Sequence, residues 1–181
     1  MSDQTILITG GTGKVGSRYI EFFLTKGWKV IFTSRSSLKK KKLENQFLNY
    51  KKKLKGYKID LLKKGALQNL AIKIKKDEFY INHLINSARS IDFLKVSKKT
   101  GMTSRENFLN EYLLNVYIPY ELSFEIFNVH KKTLKTITNI GSQYGIVGSN
   151  STLHKNQSNE YPIHYGVAKA GLIHITKELA I

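Results

Sequence analysis

Cysteine is absent from the sequence, which excludes disulfides and thiolate catalysis and fits a cytoplasmic protein. Long apolar runs are missing too. The longest, residues 5–9 and 28–33, are far too short to cross a bilayer, so no membrane partner is expected. The opening residues Met1-Ser2-Asp3-Gln4 lack the basic start and apolar stretch of a signal peptide. Acidic residues are scarce: 13 Asp and Glu face 30 Lys and Arg, for a net charge of +17. The excess is mostly lysine, gathered at 39–42, 51–53 and 63–64. No nucleic-acid module accompanies these clusters, so they read as a solvated surface and no nucleic-acid partner is expected. His83, His130, His154, His164 and His174 have no metal-ligand spacing and read as surface or packing residues; no metal is expected.

What is present is a chain of 181 residues, 41% hydrophobic, a length that suits one folded domain over 1–181. Strand and helix patterns alternate. Residues 5–9, 28–34, 57–60, 81–86 and 134–140 read as strands. Residues 13–26, 36–55, 61–77, 104–130 and a last stretch from Pro162 onward read as helices. Gly27 and Gly56 serve as C-terminal stops, and Pro119 is expected to kink the long fourth helix. This alternation predicts an α/β fold, a doubly wound parallel sheet covered on both faces. The near-continuous apolar character of the first two strands agrees, since central parallel strands are buried on both sides.

Between the first strand and the first helix lies Thr9-Gly10-Gly11-Thr12-Gly13-Lys14-Val15-Gly16. Gly11, Gly13 and Gly16 satisfy G-x-G-x-x-G, in which glycines allow a tight turn and close backbone approach to a pyrophosphate at a helix N-terminus. A Walker A loop does not fit, because Ile8 holds its first glycine's place and Val15 follows the lysine. At the end of the second strand an NAD site usually offers an acidic residue to the ribose. Here Arg35 and Ser36 stand instead, with no acidic residue before Glu44. A guanidinium fork suits a 2′-phosphate, which favours NADP over NAD; stacking of Arg35 over the adenine is the alternative.

Tyr165 and Lys169 are four residues apart on the last helix and share one face. A cation beside a phenol, whose free pKa is about 10, favours the phenolate. Ser142 follows the fifth strand, where parallel sheets place their ligands, and is positioned to hold a substrate oxygen.

Thr9-Gly10 with its glycines, Asn86-Ser87-Ala88, Asn115, Ser142 and Tyr165-x-x-x-Lys169, in that order, together resemble the short-chain dehydrogenase/reductase family over essentially the whole chain. The resemblance implies an NAD(P)-binding Rossmann fold and hydride transfer between NAD(P)H and an alcohol or carbonyl substrate. It implies Tyr165 as acid/base, Lys169 as its modulator and a ligand of the nicotinamide ribose, Ser142 as the group polarising the carbonyl, and Asn115 as the holder of a relay water. Gly10, Gly11, Thr12, Gly13, Lys14, Val15 and Gly16 would cradle the cofactor. Asp60 would approach the adenine, and Asn86, Ser87 and Ala88 would line the cofactor site, with Asn86 supporting the sheet.

The chain departs from the family pattern in four places. Lys14 holds the place of a usual glycine, a spacing similar to the branch acting on nucleotide sugars. Arg89 replaces the glycine after Asn86-Ser87-Ala88. The separation of Ser142 from Tyr165 implies an extra loop over 148–161. After Ile181 the family continues into a substrate loop and a further strand, so the chain is expected to be a fragment, with its fifth strand at an unprotected sheet edge. The segments around Ser142 and Tyr165 look like a subgroup tied to bacterial surface-sugar and flagellin modification, which makes a sugar-related substrate the expectation. A nucleotide-sugar epimerase or dehydratase, or a catalytically silent NADP-binding protein, are the alternatives. The full-length form is expected to be a homo-oligomer.

Overall fold

A computed structural model describes residues 4–148 and 161–181. Their contacts divide the chain into two compact units, Met1–Ala88 with Glu121–Ile140, and Arg89–Tyr120 with Gly141–Ile181.

The first unit holds a parallel sheet of five strands: β1 (Thr5–Ile8), β2 (Lys29–Ser34), β3 (Leu54–Lys58), β4 (His83–Asn86) and β5 (Thr136–Asn139). Their order is β3-β2-β1-β4-β5. Every pairing is parallel, for example Leu7 with Ile31 and Ile85 with Thr138. The fold is therefore an α/β doubly wound Rossmann sheet, and the order reverses between β2 and β4 around β1. That switch point is where such sheets open a ligand crevice at their carboxyl ends.

Strand alternation sorts the core. Ile6, Ile8, Val30, Phe32, Leu54 and Ile85 share one buried cluster with Ile20 and Leu24 of α1 (Lys14–Thr25) and Leu43 of α2 (Ser37–Gln46). Leu7, Ile31 and Leu84 point the other way and are also buried. Helix α3 (Ala66–Lys76) buries Leu67, Leu70, Ala71 and Ile74; Leu122 and Ile126 are buried on the helix α5 (Ile118–His130). His130 is buried and accepts a hydrogen bond on Nδ1 from Ile81 N at 3.3 Å. The central strands are buried at nearly every position, whereas β5, at one end of the order, alternates between exposed and half-buried residues.

The second helix is shorter than its lysine-rich sequence suggests. It ends at Gln46, Leu48–Tyr50 form a single 3-10 turn, and β3 begins at Leu54. Gly56 does not stop a helix: it lies inside β3, where an added Cβ would come within 2.5 Å of the Phe32 ring. The need for glycine there is packing. Ser36 caps α2, its Oγ accepting from Lys39 N at 3.2 Å.

The second unit carries α4 (Arg105–Tyr112), a π-helical turn Leu113–Tyr117, the first residues of α5, and α6 (Ile163–Glu178). The expected single long helix is thus interrupted ahead of Pro119. Proline has no N–H to return to the carbonyl four residues back, and its ring crowds that carbonyl. Here that residue is Asn115, within the widened turn. Glycine lets backbones meet in this unit too: a Cβ on Gly145 would lie 2.7 Å from Lys169 C, and one on Gly166 would lie 2.9 Å from Tyr144 O. The 3-10 turn Gln143–Gly145 is thereby pressed onto the first turns of α6. The loop expected over 148–161 falls almost wholly on 149–160, outside the described residues.

Candidate functional site

The glycine loop leaves β1 through Gly10, whose φ of +67° is a left-handed conformation that favours glycine. A Cβ at Gly10 would also stand 2.7 Å from Ala88 Cα. At Gly11 the constraint is the core, because a Cβ there would strike Phe32 Cβ at 2.5 Å. Gly16 is equally confined, 2.5 Å from Gly10 O. Gly13 differs. It is exposed, extended (φ −79°, ψ 169°), and its Cβ would meet only Gly10 O at 3.2 Å. As the N-cap of α1 it offers no side chain to the first-turn N–H groups, which leaves that helix end to an anionic ligand. Thr12 is half-buried, and Lys14 and Val15 are exposed beside it. These features fit the pyrophosphate of a dinucleotide.

Three hydroxyls hold this loop, and those of Thr33 and Ser34 lie outside the sequence pattern. Thr9 Oγ1 accepts from Ser87 N at 3.0 Å and from Ala88 N at 3.1 Å, tying the ends of β1 and β4. Thr33 Oγ1 accepts from Gly10 N at 3.2 Å, and Thr33 O accepts from Gly11 N at 3.0 Å. Ser34 Oγ lies 3.0 Å from Thr12 Oγ1 and accepts from Ser36 N at 3.2 Å. Buried Thr and Ser at strand ends are the signal that would have found them, since such hydroxyls need partners.

Arg35 is exposed directly after β2, and Ser36 follows it. Asp60, exposed after β3, accepts from Leu62 N on Oδ1 at 3.1 Å, which closes a local turn. Asn86 is buried at the end of β4, where its Nδ2 donates to Asn139 Oδ1 at 2.8 Å.

The second unit brings together Arg89, Glu111, Asn115, Tyr144, Tyr165 and Lys169. Tyr165 is half-buried. The Arg89 guanidinium lies over its ring at 4.8 Å from the centroid, and Lys169 Nζ lies at 5.9 Å. The Tyr144 ring meets it edge-on at 6.5 Å. Lys169 is only 6% exposed, and burial pulls its ammonium down from 10.5 to about 8, with Glu111 opposing and Arg89 reinforcing the change. Ser142 opens the 3-10 turn with its Oγ accepting from Tyr144 N at 3.3 Å. Asn115 is buried in the π-helical turn, and its Nδ2 donates to Glu111 O at 3.0 Å and Glu111 Oε1 at 2.9 Å. Glu111 was missed by sequence reasoning, although a carboxylate one helical turn before a carboxamide is a legible pair. His164 is buried, with Nε2 bonded to Phe93 O at 2.7 Å, and belongs to the packing. Among the described residues no group of three or more His, Cys, Asp or Glu forms a metal site, and no helix is long and apolar enough to cross a membrane.

A doubly wound parallel sheet with a glycine loop after its first strand is the architecture of a dinucleotide-binding domain. The chain belongs to the short chain dehydrogenase family, whose model matches residues 4–181. No curated protein matches the sequence. Among solved structures, a short-chain dehydrogenase from Streptomyces avermitilis is 19% identical, with a TM-score of 0.80 over 99% of this chain and 60% of its own. ElxO with NADP bound is 25% identical, with a TM-score of 0.81 over 98% of this chain and 67% of its own. A short chain dehydrogenase from Leptospira borgpetersenii with bound NAD+ is 24% identical, with a TM-score of 0.79 over 98% of this chain and 65% of its own. The chain thus spans 60% to 67% of the length of these three relatives.

Proposed function

We propose that this chain carries the dinucleotide-binding and proton-transfer parts, within one domain over 1–181, of an NAD(P)-dependent oxidoreductase acting on an alcohol or carbonyl carbon. The observation that carries the reading is the half-buried Tyr165 with two cations at its ring, Lys169 one helical turn along and Arg89 over its face. A nicotinamide cofactor supplies or accepts the hydride at carbon. The protein's part is the proton: in the reducing direction Tyr165 Oη gives it to the carbonyl oxygen, and in the oxidising direction takes it from the alcohol. Lys169 and Arg89 place positive charge where negative charge develops on the phenolic oxygen. Ser142 Oγ donates to the same substrate oxygen, which polarises the carbonyl and fixes the reacting carbon. Asn115 serves proton return from solvent.

Phosphate binding falls to the first turn of α1 and Gly13, with Gly10 to Gly16 shaping the cradle. Arg35 and Ser36 receive a 2′-phosphate, which makes NADP the preferred cofactor; Asp60 serves the adenine, and Asn86, Ser87 and Ala88 the inner edge of the cofactor site. A sugar-related carbonyl is the substrate class to try first. The decisive experiment follows reduced-cofactor oxidation with a panel of carbonyl compounds for the wild type and Tyr165→Phe. Loss of about 100-fold or more in the variant is expected, and equal rates would remove Tyr165 from the mechanism. Cofactor choice is tested by Arg35→Ala, which should weaken NADPH binding by tenfold or more, on the order of 1.4 kcal/mol, with NADH binding little changed.

A further inference from the structure

Two buried oxygens of the second unit have no hydrogen-bond partner among the described residues: Glu111 Oε2 and Asn115 Oδ1. They belong to side chains already joined, since Asn115 Nδ2 donates to Glu111 Oε1 at 2.9 Å. Both side chains are buried, Glu111 being 0% and Asn115 2% exposed. A buried acceptor without a donor is costly, and an ionised carboxylate at this position leaves two of them on one pair of side chains.

A carboxylic acid changes that count. Protonated glutamic acid has one O–H to donate. A neutral carboxyl facing a carboxamide closes a ring of two hydrogen bonds, N–H to C=O in one direction and O–H to C=O in the other. In such a ring one proton satisfies an oxygen on each side chain.

We propose that Glu111 is kept as the neutral acid, its Oε2–H donating to Asn115 Oδ1, and that this acid–amide pair makes Glu111 the positioning residue for the Asn115 carboxamide. The charged groups facing Glu111 are Arg89 and Lys169, which favour the carboxylate, as does the Asn115 bond; burial opposes them and pushes the carboxyl up on balance. Tyr165 on α6 lies against both cations, and the Tyr144 ring from the neighbouring turn meets it edge-on. Keeping a carboxyl neutral so that it can donate is a known use of an apolar environment. With the proton in place the Asn115 carboxamide has both ends anchored and a single orientation.

The proposal rests on the reading that Asn115 serves the site, so its test includes readouts that need no turnover. Glutamine is the informative replacement, because its Nε2–H can stand in for the acid's O–H and it is neutral. The infrared difference spectrum between the wild-type chain and Glu111→Gln at neutral pH should show the carbonyl stretch of a protonated carboxyl, lost in the variant. Lys169, followed by NMR of 13C-labelled lysine, should titrate at the same pH in both proteins. In turnover, Glu111→Gln should keep the wild-type kcat and pH profile, whereas Glu111→Leu should lose about tenfold or more in kcat. Absence of the protonated-carboxyl band, or a fall of about one pH unit or more in the Lys169 titration of Glu111→Gln, would show an anion paired with the two cations and overturn the proposal. Full kcat in Glu111→Leu would overturn the positioning role. If the chain turns over nothing, the infrared and lysine results still decide the state of Glu111, and only the proposed activity fails.

Discussion

Lys169 holds an ammonium where the fold disfavours one. Its pKa of about 8, against 10.5 for a solvated lysine, means that the unfolded chain binds more protons than the folded one between those values. Stability must therefore rise as pH increases from about 8 to 10.5, and the full penalty applies below that window. At about 1.4 kcal/mol per pH unit the penalty is on the order of 3 kcal/mol. Lys169→Met should accordingly raise the unfolding free energy at pH 7 by up to about 3 kcal/mol and flatten the alkaline branch, measured by urea denaturation across that window. No gain at pH 7 would mean that its charge is better compensated than burial suggests. The proposed role beside Tyr165 is consistent with such a burden.

At the scale of elements, the glycine loop separates two demands that its sequence merges. Gly16→Ala drives a Cβ to 2.5 Å from Gly10 O and should lower the thermal midpoint with or without cofactor. Gly13→Ala meets a single atom at 3.2 Å and should lower the midpoint far less than Gly16→Ala while weakening nicotinamide-cofactor binding on the proposed reading, measured by calorimetry. A second pair of elements, β3 and α3, is tied by Tyr57, whose hydroxyl donates to Asp77 Oδ2 at 2.7 Å. Bonds from Lys73 and Tyr57 hold the Asp77 carboxyl below its usual range. That contribution is present above the unfolded carboxyl pKa and is lost as pH falls through the folded one. Tyr57→Phe should lower the midpoint at neutral pH and shallow the acid branch of the stability curve. The elements themselves were legible where apolar periodicity was strong: β1, β2, α1 and β4 lie within a residue or two of their expected bounds. The misreading came at α2 and β3, where lysines mask the period and Gly56 was read as a helix stop. Its true partner, the Phe32 ring, is remote in sequence and carries no local signal. The π-helical turn was half legible: Pro119 announced an irregularity, but not that the widening would fall on Asn115. Spacing and order marked Tyr165, Lys169 and Ser142 as candidates, whereas Glu111, four residues before Asn115, was passed over although the structure joins the two side chains.

For the whole molecule, the net charge of +17 makes salt an informative variable. Arg18–Glu21, Lys40–Glu44 and Lys73–Asp77 are local ion pairs three or four residues apart, and exposed pairs of that kind add little. Repulsion within the excess of lysines acts over longer distances. Raising ionic strength from about 0.01 to 0.15 M shortens the Debye length from about 30 to about 8 Å, so salt should raise the thermal midpoint. A midpoint that falls with salt would show that specific ion pairs outweigh the general repulsion.

The close approaches in the glycine loop also bear on how such a chain would change with time. Gly10, Gly11 and Gly16 are confined by Ala88, Phe32 and the loop's own backbone, constraints that persist whether or not a dinucleotide is ever bound. In a lineage that had given up a cofactor, drift would be expected first at Gly13, the least confined of the four. The other three glycines would stay, as a record of the fold. A surviving glycine pattern with Gly13 replaced would therefore mark a descendant that keeps the architecture and has left the chemistry behind.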